Sequence, residues 1–325
     1  MFVTKSERNM ILILSNNNDR STNDTIDWLN LDFLRTDSCN FIRNLFFNFN
    51  TLDYEIQLFD GKWIKNIATY WYRRDDFVLG VNSDRIVNEN TQTRLNLENE
   101  WDRLKDFLHI YCESKNSIGS YHKEIFQNKL TTLFLAQQMG LKIPPTLVTT
   151  QKDNLVAFIQ ENGECITKAI SNMFKIEKSG FFQTIGTQLV TKAMIDTLDE
   201  TFFPTLIQKK IEKVFELRIF YLKGLFYSMA IFSQTDEQTQ LDYRNYNRAK
   251  PNRNIPFVLP NDIEVKLQLL MSKLDLNTGS IDMMVTPEGE YVFLEVNPTG
   301  QFGWVSENCN YYLEEKIAHC LEGRA

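Results

Sequence analysis

A carboxylate, Glu295, and a carboxamide, Asn297, stand two residues apart inside the apolar run of YVFLEVNPTGQFG, residues 291–303. Side chains in a strand alternate faces, so this spacing puts both polar groups on one face and leaves Leu294 and Val296 on the other. The segment IDMMVTPEGEYVFLEV reads as a β-hairpin, with apolar runs on either side of Pro287, Glu288 and Gly289. Pairing Pro287 with Glu290 and counting outward sets Met284 opposite Phe293 and Asp282 opposite Glu295. Directly opposed side chains lie about 4.5–5.5 Å apart at Cβ, where like charges repel. Two carboxylates placed so need a proton or a cation between them. The hard-oxygen set Asp282, Glu295 and Asn297 suits Mg²⁺, which takes one or two protein carboxylates and leaves its other positions to water and phosphate. An exposed hairpin face with two solvated acids fits the stretch as well.

A phosphate would need cations elsewhere in the chain. Lys129 lies in NKL at the start of an amphipathic helix, and Lys168 lies in CITKAI on an otherwise apolar strand. Gln208 to Ile211, with Lys209 among them, reads as a short connection between strands. Arg218 sits between Leu217 and Ile219 in ELRIF. Burying a lysine in an apolar strand is costly unless an anion offsets it, yet taken singly each of these reads first as a snorkelling surface cation. The chain has no Walker A loop, G-x-G-x-x-G, H-E-x-x-H or G-x-S-x-G, which removes the common phosphate cradles and hydrolase elbows.

The elements that must position these groups follow from periodicity. MILILS (10–15) is a short buried strand, and in STNDTIDWL either Ser21 or Thr22 is placed to cap a helix. LDFL, YEIQLF and the aromatic NIATYWYRRDDFVL add strands, so the first third alternates strand and helix as an α/β layer does. ENEWDRLKDFLHIYC is helical, as is YHKEIFQNKLTTLFLAQQMG, which ends at the glycine Gly140. The second half is α+β, rich in antiparallel strand. Tyr70, Trp71 and Tyr72 read as core, and Arg73 and Arg74 as ion pairs between domains. At 325 residues, with 24 Phe, 12 Tyr and 5 Trp, the chain holds two or three packed units. A net charge of −7 argues against a nucleic-acid-binding surface. Five cysteines without C-x-x-C spacing point to a reducing, cytoplasmic compartment. No apolar stretch reaches membrane-spanning length, and MILIL is too short for a signal peptide.

The order NKL, GLKIPPT, a lysine in an apolar strand, IQKKI, ELRIFYLKG, SIDMMV and FLEVNPTGQF resembles the ATP-grasp ligase superfamily, over roughly residues 115 to 325. The closing D…E-x-N set is its most specific part. YWYRR, LDYR and SNNNDRSTNDTIDWL are similar to the graspetide synthetases, which include the microviridin ligases and the grasp-with-spasm peptide maturases. The resemblance implies a three-subdomain ATP-grasp fold with an N-terminal α/β domain, divided as 1–95, 96–205 and 206–325. It also implies a reaction. ATP phosphorylates a side-chain carboxylate of a ribosomal precursor peptide, and a hydroxyl or amine of the same peptide attacks, closing an ester or amide macrocycle.

Carried over residue by residue, Lys129 and Lys168 would contact phosphates, and Gln208, Lys209 and Ile211 would line the adenine hinge. Arg218 and Arg244 would steady the γ-phosphate and the acyl phosphate, and Asp282, Glu295 and Asn297 would hold Mg²⁺. A leader-peptide site is implied within 96–205, and a homodimer at the level of the family. Lys209 departs from the acid that many relatives have at the hinge, and KIEKSGF (175–181) is the best substitute for their glycine-rich loop. The basic segment 244–253 could draw in an acidic core peptide or be an ordinary solvated loop. Two other activities stay open: a ligase that adds free amino acids to a protein tail, and a peptide-binding protein with a vestigial ATP site.

Overall fold

The computed structural model describes residues 10–80, 91–171, 174–178, 181–234, 249 and 251–324, so Arg244 lies outside the described residues. The chain divides into two compact units, residues 1–126 with 298–325, and residues 127–297. The expected cuts at 95 and 205 do not coincide with this division. The first falls inside a helix, Thr91–Glu113, and the second inside a strand, Thr201–Lys209, where a boundary would sever hydrogen-bonded structure.

In the first unit the run MILILS forms β1 (Met10–Ser15), buried from Ile11 onward. Helix α1 (Arg20–Ile26) follows, and Asp19 caps it, accepting from the Thr22 amide at 2.9 Å. Ser21 and Thr22, the expected caps, are instead buried inside the helix. After β2 (Phe33–Thr36), the strands β3 (Ile42–Asn48), β4 (Asp53–Leu58) and β5 (Trp63–Ile64) make a small antiparallel sheet. Strands β6 (Ile67–Arg73) and β7 (Asn116–Ile118) join the first two in a parallel sheet of order β2-β1-β6-β7, the α/β layer expected here. Tyr70, Trp71 and Tyr72 are core residues. Helix α2 (Thr91–Glu113) buries His109, whose Nδ1 lies 3.2 Å from the Tyr70 hydroxyl and whose Nε2 lies 2.9 Å from Asp76.

The single helix expected over 121–140 is two, α3 (Tyr121–Ile125) and α4 (Lys129–Gln138). Asn128 interrupts it, because its side chain accepts from the amides of Leu130 and Thr131 at 2.9 and 3.1 Å and so starts a new helix. Gly140, at φ 77°, ends α4 as expected.

The second unit continues with β8 (Thr146–Gln151), α5 (Lys152–Asn162), β9 (Cys165–Lys168), β10 (Phe174–Lys178), β11 (Phe181–Ile185), β12 (Gln188–Leu189), α6 (Lys192–Asp196) and β13 (Thr201–Lys209). Four of these strands form an antiparallel sheet, β12-β9-β13-β8. The described residues of the KIEKSGF segment fall in β10 and β11, which pair antiparallel as a separate two-stranded sheet. A five-stranded antiparallel sheet follows, of order β16-β15-β14-β17-β18, from β14 (Phe215–Leu222), β15 (Leu225–Phe232), β16 (Arg253–Phe257), β17 (Thr278–Val285) and β18 (Tyr291–Asn297).

One face of that sheet is covered by α4 and by α7 (Asn261–Lys273). Leu217, Ile219, Ile281, Met283, Phe293 and Val296 meet Leu133, Ala136, Leu267 and Leu270 there in one core. The opposite face is left to carry polar side chains. In the tail, α8 (Gly303–Cys309) and α9 (Leu313–Leu321) complete the first unit. Among the described residues no helix is long and apolar enough to cross a membrane.

Candidate active site

Odd-numbered residues of β14 and β17 face the core, so their even-numbered neighbours face away. The ladder sets Arg218 opposite Asp282, and Asp282 opposite Glu295, giving a transverse row of one cation and two acids across three strands. Arg218 Nη1 donates to both Asp282 oxygens, at 2.9 and 3.0 Å. Arg218 and Asp282 are 8% and 7% exposed, which removes the reading of a solvated hairpin face. The next row along places Ser280 opposite Asn297.

The expected opposition of Asp282 and Glu295 holds, but by a different register. Nearer the turn, Met284 pairs with Val292 and Met283 with Phe293, one step from the expected Met284–Phe293 pair. A β-bulge between Asp282 and Met283 absorbs Leu294 and restores the count at Glu295. Phe293 and Val296 therefore both enter the core, while Leu294, expected there, lines the cleft beside Glu295.

That cleft lies within the second unit. Lys168, Gln208, Lys209 and Ile211 line it together with Asp282 and Glu295. Gln208 and Lys209 are the last two residues of β13, not part of a connection, because both still pair with β9. The connection begins at Lys210. Gln208 is buried and its amide donates to Thr146 Oγ1 at 2.8 Å. Lys129, the first residue of α4, does not line the cleft; its Nζ donates to the carbonyl of Ala169, next to Lys168, at 2.8 Å. Asn297 is likewise outside the lining, at the end of β18.

Glu216 is a cleft residue that sequence reasoning missed. It is 3% exposed and paired with the buried Lys213. An acid two residues before Arg218 in the apolar run FELRIF was the available signal. Cys165, paired with Lys209 in the ladder, is no candidate nucleophile, since burial pushes its thiol up and away from the reactive thiolate. Asp282, Glu295 and Asn297 offer hard oxygen donors, and an ionised carboxylate has lone pairs for a metal beside its hydrogen bonds, so the set fits Mg²⁺. Among the described residues no group of three His, Cys, Asp or Glu side chains is placed to hold a metal, so the amide of Asn297 and non-protein oxygens would have to complete the shell.

Arg73 and Arg74, expected to bridge domains, work within the first unit. Arg73 pairs with Asp19 at 3.2 Å and reaches the carbonyls of Thr299 and Gly300, and Arg74 pairs with Glu124 at 3.0 Å.

No family model and no curated protein matches the sequence. Solved structures do. A RiPP-associated ATP-grasp ligase of Chryseobacterium gregarium, in complex with ADP and a leader and core peptide, is 26% identical with a TM-score of 0.82 over 98% of each chain. The macrocyclase MdnC of Microcystis aeruginosa, bound with precursor peptide MdnA, is 26% identical with a TM-score of 0.78, over 97% of this chain and 99% of that one. The ATP-grasp ligase PsnB, complexed with minimal precursor, Mg and ADP, is 16% identical with a TM-score of 0.72, over 97% and 96%, a likeness of fold. With a cleft that gathers lysines and paired carboxylates, the chain has the fold of the ATP-grasp ligases and is similar to the RiPP-associated ones among them.

Proposed function

We propose that this protein is an ATP-dependent peptide macrocyclase acting on a ribosomally made precursor with a leader and an acidic core. The observation that carries the reading is the row Arg218–Asp282–Glu295, whose two acids line a cleft together with Lys168 and Gln208, while Arg218 stands behind Asp282 outside the lining. Relatives of the same fold, solved with ADP and with precursor peptides, support it.

In this reading a carboxylate oxygen of an Asp or Glu in the core peptide attacks the γ-phosphorus of ATP, and ADP leaves. A Ser or Thr hydroxyl, or a Lys amine, of the same peptide then attacks the acyl carbon. Its proton is lost, phosphate leaves, and the net change in the peptide is one water. Lys168 faces the phosphates from the cleft wall. Lys129 steadies the chain beside Lys168 through the Ala169 carbonyl. Gln208, Lys209 and Ile211 flank the base. Arg218, fixed by Asp282, presents a guanidinium where charge develops on the transferred group, and Arg244 is the proposed second one. Mg²⁺ held by Asp282, Glu295 and Asn297 would neutralise the phosphate oxygens as they separate. No covalent enzyme intermediate is required, because the second attack is intramolecular and gains from the two side chains being held together.

The reading includes a leader site within 96–205, a homodimer and a cytoplasmic setting. Exposed Phe46, Phe49 and Phe59 are apolar surface that a second copy could cover, and light scattering measures the mass in solution. Five free cysteines suit a reducing compartment.

The test is intact mass spectrometry of acidic precursor peptides incubated with enzyme, ATP and Mg²⁺. Losses in steps of one water, dependent on ATP, are expected. A gain matching an added amino acid would replace macrocyclisation with tail modification, and ADP binding without any change in peptide mass would leave a nucleotide-binding protein only.

A further inference from the structure

Strand β18 is the edge of its sheet, so one row of its backbone groups has no partner strand. Two neighbours within the second unit cover that row. The Phe293 amide donates to the Lys142 carbonyl at 2.8 Å, in an isolated bridge just after α4. At the other end, the side-chain amide of Gln127 donates to the carbonyl of Val296. Val296 is the residue between Glu295 and Asn297.

Gln127 is itself held in place, because Asn128 caps α4 and Lys129 begins it. Leu133 and Ala136 on that helix share a core with Phe293 and Val296. The interruption of the helix at Asn128 is what frees Gln127 to turn toward the strand.

We infer that Gln127 is a positioning residue, whose bond to the Val296 carbonyl holds Glu295 and Asn297 at the spacing a divalent cation requires. The inference rests on the metal reading above. Val296 is buried, but Gln127 lies at the exposed surface, so on its loss water can take its place at the carbonyl and the folded state does not depend on this amide. What the amide adds is a fixed strand end, and metal ligands gain when the groups behind them are fixed.

The test is calorimetric titration of ADP into the full chain at a series of Mg²⁺ concentrations, with thermal melting alongside. Gln127→Leu keeps volume without a donor, and Gln127→Glu keeps shape with acceptors only. For wild type, ADP binding tightens as Mg²⁺ rises. In both variants the Mg²⁺ needed for half of that tightening should rise about fivefold to tenfold, the scale of one net hydrogen bond. ADP affinity without Mg²⁺ and the melting temperature should stay as in wild type. Unchanged Mg²⁺ dependence in both variants would overturn the positioning role, as would an equal loss of affinity with and without Mg²⁺. Wild-type ADP binding that ignores Mg²⁺ would overturn the metal reading itself, and the role of Gln127 with it.

Discussion

At the scale of the residue, the two acids of the row differ in what else they do. Asp282 accepts two hydrogen bonds from a buried guanidinium, so its removal affects stability as well as chemistry. Asp282→Ala should lower turnover by at least about a hundredfold, the usual cost of losing a charge-stabilising group. It should also destabilise the fold by about 1.5–3 kcal/mol, as expected when hydrogen bonds to a charged group are lost. Glu295→Ala should lose turnover to the same extent with little change in urea midpoint. Wild-type turnover in either variant would remove the metal cradle. From sequence alone the opposed acids implied a repulsion that a proton or a cation must relieve; the guanidinium that already pairs with Asp282 comes from a strand more than sixty residues away.

At the scale of the element, the bulge at Leu294 decides which side chains are core. A straight hairpin would send Leu294 into the helix-covered core and turn Phe293 to the cleft, whereas the structure buries Phe293 fully. Phe293→Ala should therefore cost about 3–5 kcal/mol in equilibrium unfolding, the range for an aromatic lost from a packed core. Leu294→Ala should cost under about 1 kcal/mol and act on the KM for ATP instead. The reverse order of stabilities would sink the bulged register. Period-two counting found the pairing of Asp282 with Glu295 because the miscounted turn and the bulge shift the register in opposite senses. The split of one expected helix into α3 and α4 was legible only as Asn128 in FQNKL, a cap residue inside an apolar pattern strong enough to hide it.

At the scale of the whole molecule, acid sensitivity has an identifiable source in the first unit. Burial lowers the affinity of His109 for a proton, and its bond to Asp76 only partly restores it, so the imidazole titrates below its ordinary value of 6.5. The unfolded chain then binds more protons than the folded one as pH falls through 6.5, so this contribution is complete above that value and lost below it. Melting temperatures from pH 8 to 5.5 should fall more steeply for wild type than for His109→Gln. Parallel curves would show that His109 is not the group responsible.

What the sequence by itself determined was local: which runs are strands, that the first third is an α/β layer, that Tyr70 to Tyr72 are core, and that Asp282, Glu295, Lys168 and Arg218 are polar residues in apolar strands. These follow from the alternation of side chains and the cost of burying charge, both written in neighbouring residues. The tertiary structure decided what no window of neighbours contains. Strand order brought Arg218 beside Asp282, and the two sheets of the second unit placed Lys168 and Gln208 on the same cleft as Glu216 and Glu295. The edge position of β18 gave Gln127 a carbonyl to hold. Such juxtapositions are set by long-range packing and hydrogen-bond satisfaction, in which partners lie far apart along the chain.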